Sequence, residues 1–160
     1  MSANKTNKYL VFILFIILLT LISAFIIEYV LKHEPCNLCL YERVPYIISI
    51  FLIFEILFIK KHVKTTLLLL SFMFILSAAL AFYHFGIEQG FFNESFACES
   101  KNISEIMTKD DLLQQLKRNP ISCKDVNFKI IGLSLASINT IFSFFLSVIF
   151  LKLYLNYEKN

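Results

Sequence analysis

Tryptophan is absent from this chain, and glycine and proline supply only three residues each of its 160. Three scattered glycines cannot build the Gly-rich turns that cradle nucleotide phosphates or a dinucleotide, and no flavin signature appears either. Charge is scarce too. Asp, Glu, Lys and Arg make up 17% of the residues against 58% hydrophobic, the mean hydropathy is +0.70, and the net charge is only +3. A soluble domain of this length would carry more charge and a less continuous apolar pattern. Internal repeats and low-complexity tracts are also missing.

What is present are four apolar stretches. Tyr9 to Ile27 has no charge over 19 residues, and Ile130 to Leu151 has none at all. Val44 to Ile59 carries only Glu55, and Thr65 to Phe85 has His84 as its sole ionisable group. About 20 helical residues cross a hydrocarbon core of about 30 Å. The reading is therefore an all-α membrane protein, a four-transmembrane-helix bundle in a single domain over 1–160. Its spans fall at about 9–29, 41–59, 65–85 and 130–152, and its outer loops at about 30–40 and 86–129.

The first stretch exceeds the apolar core of a signal peptide and has no clear small-x-small site after it, so it is expected to stay attached. All seven tyrosines lie near span ends, where an amphipathic ring is comfortable. Lys60, Lys61 and Lys64 crowd one short connection without an acid, Lys5 and Lys8 precede the first span, and Lys152 and Lys159 follow the last. The positive-inside bias puts both termini and that connection of a multi-pass protein in the cytoplasm.

Cys36, Cys39, Cys98 and Cys123 then all face the opposite, oxidising side, two in each outer loop. Disulfides persist in such compartments and are rare in the cytosol. Cys98 and Cys123 have 24 residues between them, which fits a zinc knuckle poorly, and no metal is expected. The contest is between structural staples and working redox pairs. A Cys-x-x-Cys bridge closes a very small loop and stabilises little by chain entropy, which favours redox use.

The stretch "HEPCNLCLYERVPY" supports the same choice. Cys39 is expected where the second helix begins, and exposed helix N–H groups favour a thiolate there. Arg43, four residues on, shares its helical face and adds a positive charge. Pro45 is expected in the first turn, where a missing N–H costs nothing. "ISEIMTKDDLLQQLKRNP" reads as a short amphipathic helix over about 104–118, resting on the membrane surface or carrying Cys123. Glu55, an intramembrane carboxyl near the cytoplasmic end, is read as paired or snorkelling rather than as a proton relay.

"PCNLCLYERV" strongly resembles the first outer loop of the DsbB family, bacterial inner-membrane thiol oxidases for disulfide bond formation. The similarity continues through "AFYHFGIEQGFF", Cys98 and "CKDVNFKIIGLSLASIN", in order over nearly the whole chain. Where the family usually has Trp, this chain has Phe91, Phe92, Phe128 and Ile138. The resemblance implies a quinone-dependent oxidase that renews the disulfide of a DsbA-like thioredoxin-fold periplasmic protein. It assigns catalytic roles to Cys36, Cys39, Cys98 and Cys123. Cys98 is similar to the sulfur attacked by the partner, Cys123 to its disulfide mate, and Cys36 to the sulfur that exchanges with that second pair. Cys39 resembles the sulfur beside the quinone, with Arg43 at the ring carbonyl and His84 as a further quinone neighbour. The quinone would be ubiquinone or menaquinone, the setting membrane lipid, and no nucleic acid is expected as a partner. Two other readings stay open: a membrane thiol reductase or quinone-coupled relative serving one dedicated substrate, and a non-catalytic subunit stapled by two disulfides.

Overall fold

The computed structural model describes residues 3–33, 35–93, 123, 129–130 and 132–158. Helix α1 (Ala3–Phe25) runs without a break into a π-helical turn over Ile26–Val30. Helix α2 covers Asn37–Phe58, α3 covers Val63–Glu88, and α4 covers Leu135–Glu158. A minimal hairpin, β1 (Lys129–Ile130) and β2 (Leu133–Ser134), leads straight into α4, with Lys129 opposite Ser134 and Ile130 opposite Leu133. The four helices expected from the sequence are present. Cys98 and the short helix expected over 104–118 lie outside the described residues.

Thr6–Val30, Val63–Glu88 and Leu135–Tyr157 are long and apolar enough to cross a membrane by length and composition. Helix α2 is nearly as long, but it carries Glu42, Arg43 and Glu55 and does not reach the same measure.

The ends of these helices have local causes. Cys36 caps α2: its sulfur accepts the Cys39 N–H at 3.4 Å and its carbonyl accepts the Leu40 N–H at 3.3 Å. Because α2 begins at Asn37, Pro45 lies about two turns inside it, not in the first turn as the sequence suggested. There its ring removes the usual donor to the Tyr41 carbonyl, a loss that bundled membrane helices accommodate. The last helix starts at Leu135 rather than near Ile130 because Gly132, at φ 81°, turns the hairpin first. Ser134 then caps α4, its hydroxyl accepting the Ser137 N–H at 3.2 Å.

Helix α3 packs along α4, with α2 against α3 and α1 against α2. The core joins Leu10 and Ile17 of α1, Ile53 of α2, Leu67, Leu70 and Phe74 of α3, and Phe150 of α4. Tyr46 meets Phe74 edge-on at 5.4 Å, and Phe74 stacks on Phe150 at 5.6 Å. Small polar side chains run down the α3–α4 seam. The Ser71 hydroxyl donates to the Ser147 carbonyl at 3.2 Å, and Ser77 shares a 3.2 Å hydrogen bond with Ser143. Such residues let helix backbones approach where hydrocarbon surroundings supply no hydrophobic drive. Phe12, Phe51, Phe72 and Phe144, by contrast, point outward and are exposed. Helices that are apolar on their outer as well as their inner faces suit lipid, not water.

Near the end of α3, Gly86 is required by a close approach. A Cβ there would stand 2.2 Å from the Phe92 ring, which stacks on Tyr83 at 5.5 Å. Gly86→Ala is therefore expected to dislodge Phe92 and destabilise the protein by about 1 kcal/mol. The thermal shift should largely vanish when the substitution is made in a Phe92→Ala background. Equal shifts in both backgrounds would show that the ring is not the obstacle.

Candidate active site

The start of α2 and the end of α3 bring a compact polar group together in otherwise apolar surroundings. Cys36 and Cys39 are free thiols with their sulfurs 3.0 Å apart. One helical turn beyond Cys39, Glu42 points inward and is only 6% exposed. His84 of α3 is 2% exposed, and both of its ring nitrogens are engaged. Its Nε2 lies 3.5 Å from the Cys36 sulfur, and its Nδ1 lies 2.7 Å from Glu42 Oε1. A carboxylate accepts only, so Nδ1 carries the hydrogen in this pairing.

The second oxygen of Glu42 is held as firmly. Asn139 of α4 donates through Nδ2 to Glu42 Oε2 at 2.6 Å, and Asn139 Oδ1 accepts from the Tyr46 hydroxyl. That acceptance fixes which end of the amide faces Glu42. Tyr46 also meets Ser143 at 2.8 Å, so the chain of hydrogen bonds runs from Cys36 through His84, Glu42, Asn139 and Tyr46 into the serine seam. Glu88, on the other side of His84, has Oε1 3.8 Å from Nε2. Its Oε2 is buried with no hydrogen-bond partner among the described residues.

Hydrogen bonds from Cys39 and then His84 draw the Cys36 thiol down to about 4, against the opposing cost of burial. Reasoning from sequence alone placed the activated sulfur at Cys39, beside Arg43. In the fold Cys36 is the capping residue, and the Arg43 guanidinium is taken by Glu28 while lying over the Phe25 ring at 5.5 Å. Arg43 remains at the rim of the site, four residues past a half-buried Cys39. His84 has its nitrogens turned to Cys36 and Glu42.

Cys123 is disulfide-bonded and 3% exposed. It packs with Cys36, Leu38 and Ile87 in one buried cluster that Cys39, Leu80 and Tyr83 border. A free pair and a disulfide sulfur thus meet in a single apolar pocket.

Cys36, Cys39 and His84 place their ligand atoms within 4.8 Å of one another, a set that a soft metal could take. Zinc–sulfur bonds of about 2.3 Å in a tetrahedral site hold two sulfurs roughly 3.8 Å apart. The pair here stands closer, between that spacing and a covalent disulfide, which suits thiol–disulfide chemistry better.

The family model described as "Disulfide bond formation protein DsbB" matches residues 6–153. The chain belongs to the DsbB family. It is thus a membrane disulfide-forming oxidoreductase, and the match reaches into all four helices and includes all four cysteines. The chain is also similar to an uncharacterised protein of Rickettsia prowazekii (strain Madrid E), 34% identical over 161 residues, spanning 98% of this chain and 93% of that protein. No solved structure matches it.

For this DsbB-family chain the sequence reading found the Cys-x-x-Cys pair and His84, but passed over Glu42 and Asn139. A signal was available in each case. Glu42 is three residues from Cys39 and so lies on a neighbouring part of the same face. Asn139 is a polar amide inside a long apolar run, where a buried partner is the default expectation.

Proposed function

We propose that the chain renews the disulfide of a DsbA-like thioredoxin-fold protein and passes the electrons through two cysteine pairs to membrane quinone, with Cys98, Cys123, Cys36 and Cys39 as the catalytic residues. The partner dithiol reduces the Cys98–Cys123 disulfide by thiol exchange and leaves oxidised. The second pair then reduces Cys36–Cys39, Cys36 being the sulfur attacked and Cys39 the leaving thiol. A bound quinone would supply a two-electron, two-proton sink next to Cys39. The observation that carries this reading is the meeting of a free thiol pair with the disulfide-bonded Cys123 in one buried cluster.

The rim of α2 fits a flat apolar ring with polar edges. Cys39 is partly open, Leu40, Tyr41 and Val44 are exposed around it, and Arg43 offers a cation over Phe25. Arg43 and Cys39 would hold the quinone head group; His84 would act from behind Cys36. The test is quinone reduction, followed by absorbance, with purified full-length protein and a reduced thioredoxin-fold donor. Turnover that needs both donor and quinone supports the proposal. Oxidation of the donor without quinone consumption would overturn it.

The same reading makes α2 the fourth span, with the cysteine loops periplasmic and both termini cytoplasmic. A reporter cysteine at exposed Gln89 (Gln89→Cys) is expected to react with a membrane-impermeant maleimide in spheroplasts, above wild-type background. One at Lys61 (Lys61→Cys) should react only after the membrane is opened. The reverse pattern would invert the topology.

A further inference from the structure

Proton handling at the free cysteine pair has a specific apparatus in the fold, and its far end is a carboxylate. Glu42 is buried inside the bundle, yet each of its oxygens has a donor: His84 Nδ1 on one, Asn139 Nδ2 on the other. Held from both sides, the Glu42 carboxyl is fixed in place against the imidazole. A His held at Nδ1 by a carboxylate presents the lone pair of Nε2 on its opposite side, and Nε2 faces the Cys36 sulfur.

We infer that His84 is the base that removes the proton from Cys36, and that Glu42 is a positioning residue which fixes the imidazole and stabilises its charged form. This deepens the redox reading of the pair and rests on it. The step is a proton transfer and no electrons move: the S–H bond of Cys36 breaks and an N–H bond forms at His84 Nε2. The product is a thiolate beside an imidazolium whose other N–H lies on the Glu42 carboxylate. Three groups in a row, sulfur, imidazole and carboxylate, make the arrangement by which an otherwise weak nucleophile is activated.

Three elements pack titratable or polar groups around His84. Cys36, Cys39 and Glu42 come from the start of α2 and its cap, and Glu88 from α3 itself. Helix α4 and its cap contribute Asn139 and Ser134, which are neutral, and Arg43 is occupied by Glu28. Among the described residues, Glu42 is the carboxylate with an oxygen in hydrogen-bond contact with the ring, since Glu88 stands at 3.8 Å. Its removal has a definite sign. Without the negative charge the imidazolium is less stable, so the proton stays on Cys36 to higher pH.

The test is the pH profile of Cys36 alkylation by iodoacetamide in the reduced full-length protein, quantified by peptide mass spectrometry. Glu42→Gln is expected to raise the midpoint by at least about one pH unit. Glu42→Asp should fall between Gln and wild type, and Asn139→Ala should shift the midpoint the same way by less. His84→Phe should shift it at least as far as Glu42→Gln. A carboxylate with a merely structural part would change the melting temperature or the plateau rate and leave the midpoint in place. An unmoved midpoint in folded Glu42→Gln overturns the inference. Should that variant fail to fold, an unmoved midpoint in Asn139→Ala and His84→Phe does so. The measurement uses neither quinone nor partner, so a failed quinone assay with a shifted midpoint would sink the proposed function alone.

Discussion

Cys39→Ser is expected to stop quinone reduction, with a loss of at least about a thousandfold, and to leave the protein cross-linked to itself. Oxidation of the pair requires both sulfurs: two electrons leave as a disulfide forms, and serine cannot supply the second atom. Cys36 keeps its cap position, its contact with His84 and its place in the cluster with Cys123. Its thiolate attacks the second pair, a Cys36–Cys123 bond forms, and Cys98 departs as the thiol. Cys39 would normally resolve that bond, and here it is missing. Non-reducing peptide mapping should find the Cys36–Cys123 link in Cys39→Ser and not in Cys36→Ser, although both variants lose turnover. Retained turnover in Cys39→Ser would show that the pair is not the electron donor to quinone.

Arg43→Ala is the second substitution with a large expected effect, and it separates the quinone step from partner exchange. In this fold Arg43 is paired with Glu28 at the top of the first helix and stacked over Phe25. That pairing orders the guanidinium on the rim where an acceptor oxygen would gain negative charge. Fixed positive charge in a site poor in water contributes more than in bulk solvent, by several kcal/mol at most, or about two to three orders of magnitude in rate. Arg43→Ala should raise the quinone concentration needed for half-maximal rate and lower the maximal rate. Partner exchange with the Cys98–Cys123 pair should continue. Arg43→Lys should recover part of the loss, since a compact ammonium lacks the planar fork. Glu28→Gln, which leaves the arginine but loosens it, should raise that half-maximal concentration with little effect on the maximal rate. A quinone dependence unchanged in Arg43→Ala would reduce Arg43 to an anchor at the membrane boundary.

The helices and the cysteine pair were legible in the sequence because each rests on a local signal. An uncharged run long enough to cross hydrocarbon declares itself, and so do two cysteines three positions apart. Helix starts were less legible. The sequence reading started the second helix at Cys39 and its span at about residue 41, whereas the capping sulfur of Cys36 starts it at Asn37, and Pro45 moves from a harmless place to an interior one. The chemistry of the site was the least legible part, because it depends on pairings across the bundle. Glu55 drew attention as the acid inside an apolar run, while Glu42 passed as one letter of a motif. Only the juxtaposition of α2, α3 and α4 turns Glu42 inward to His84 and Asn139. No spacing along one helix encodes that meeting.

Asn139 has a consequence for how the protein is made. The chain emerges from the ribosome N-terminus first, so Cys36, Cys39 and Glu42 are synthesised long before the helix that carries Asn139. Until α4 has been inserted and locked along the serine seam, one oxygen of Glu42 lacks its amide donor. The last link of the hydrogen-bond chain behind Cys36 is therefore added only with the last helix, after the sulfurs and His84 are already in the chain.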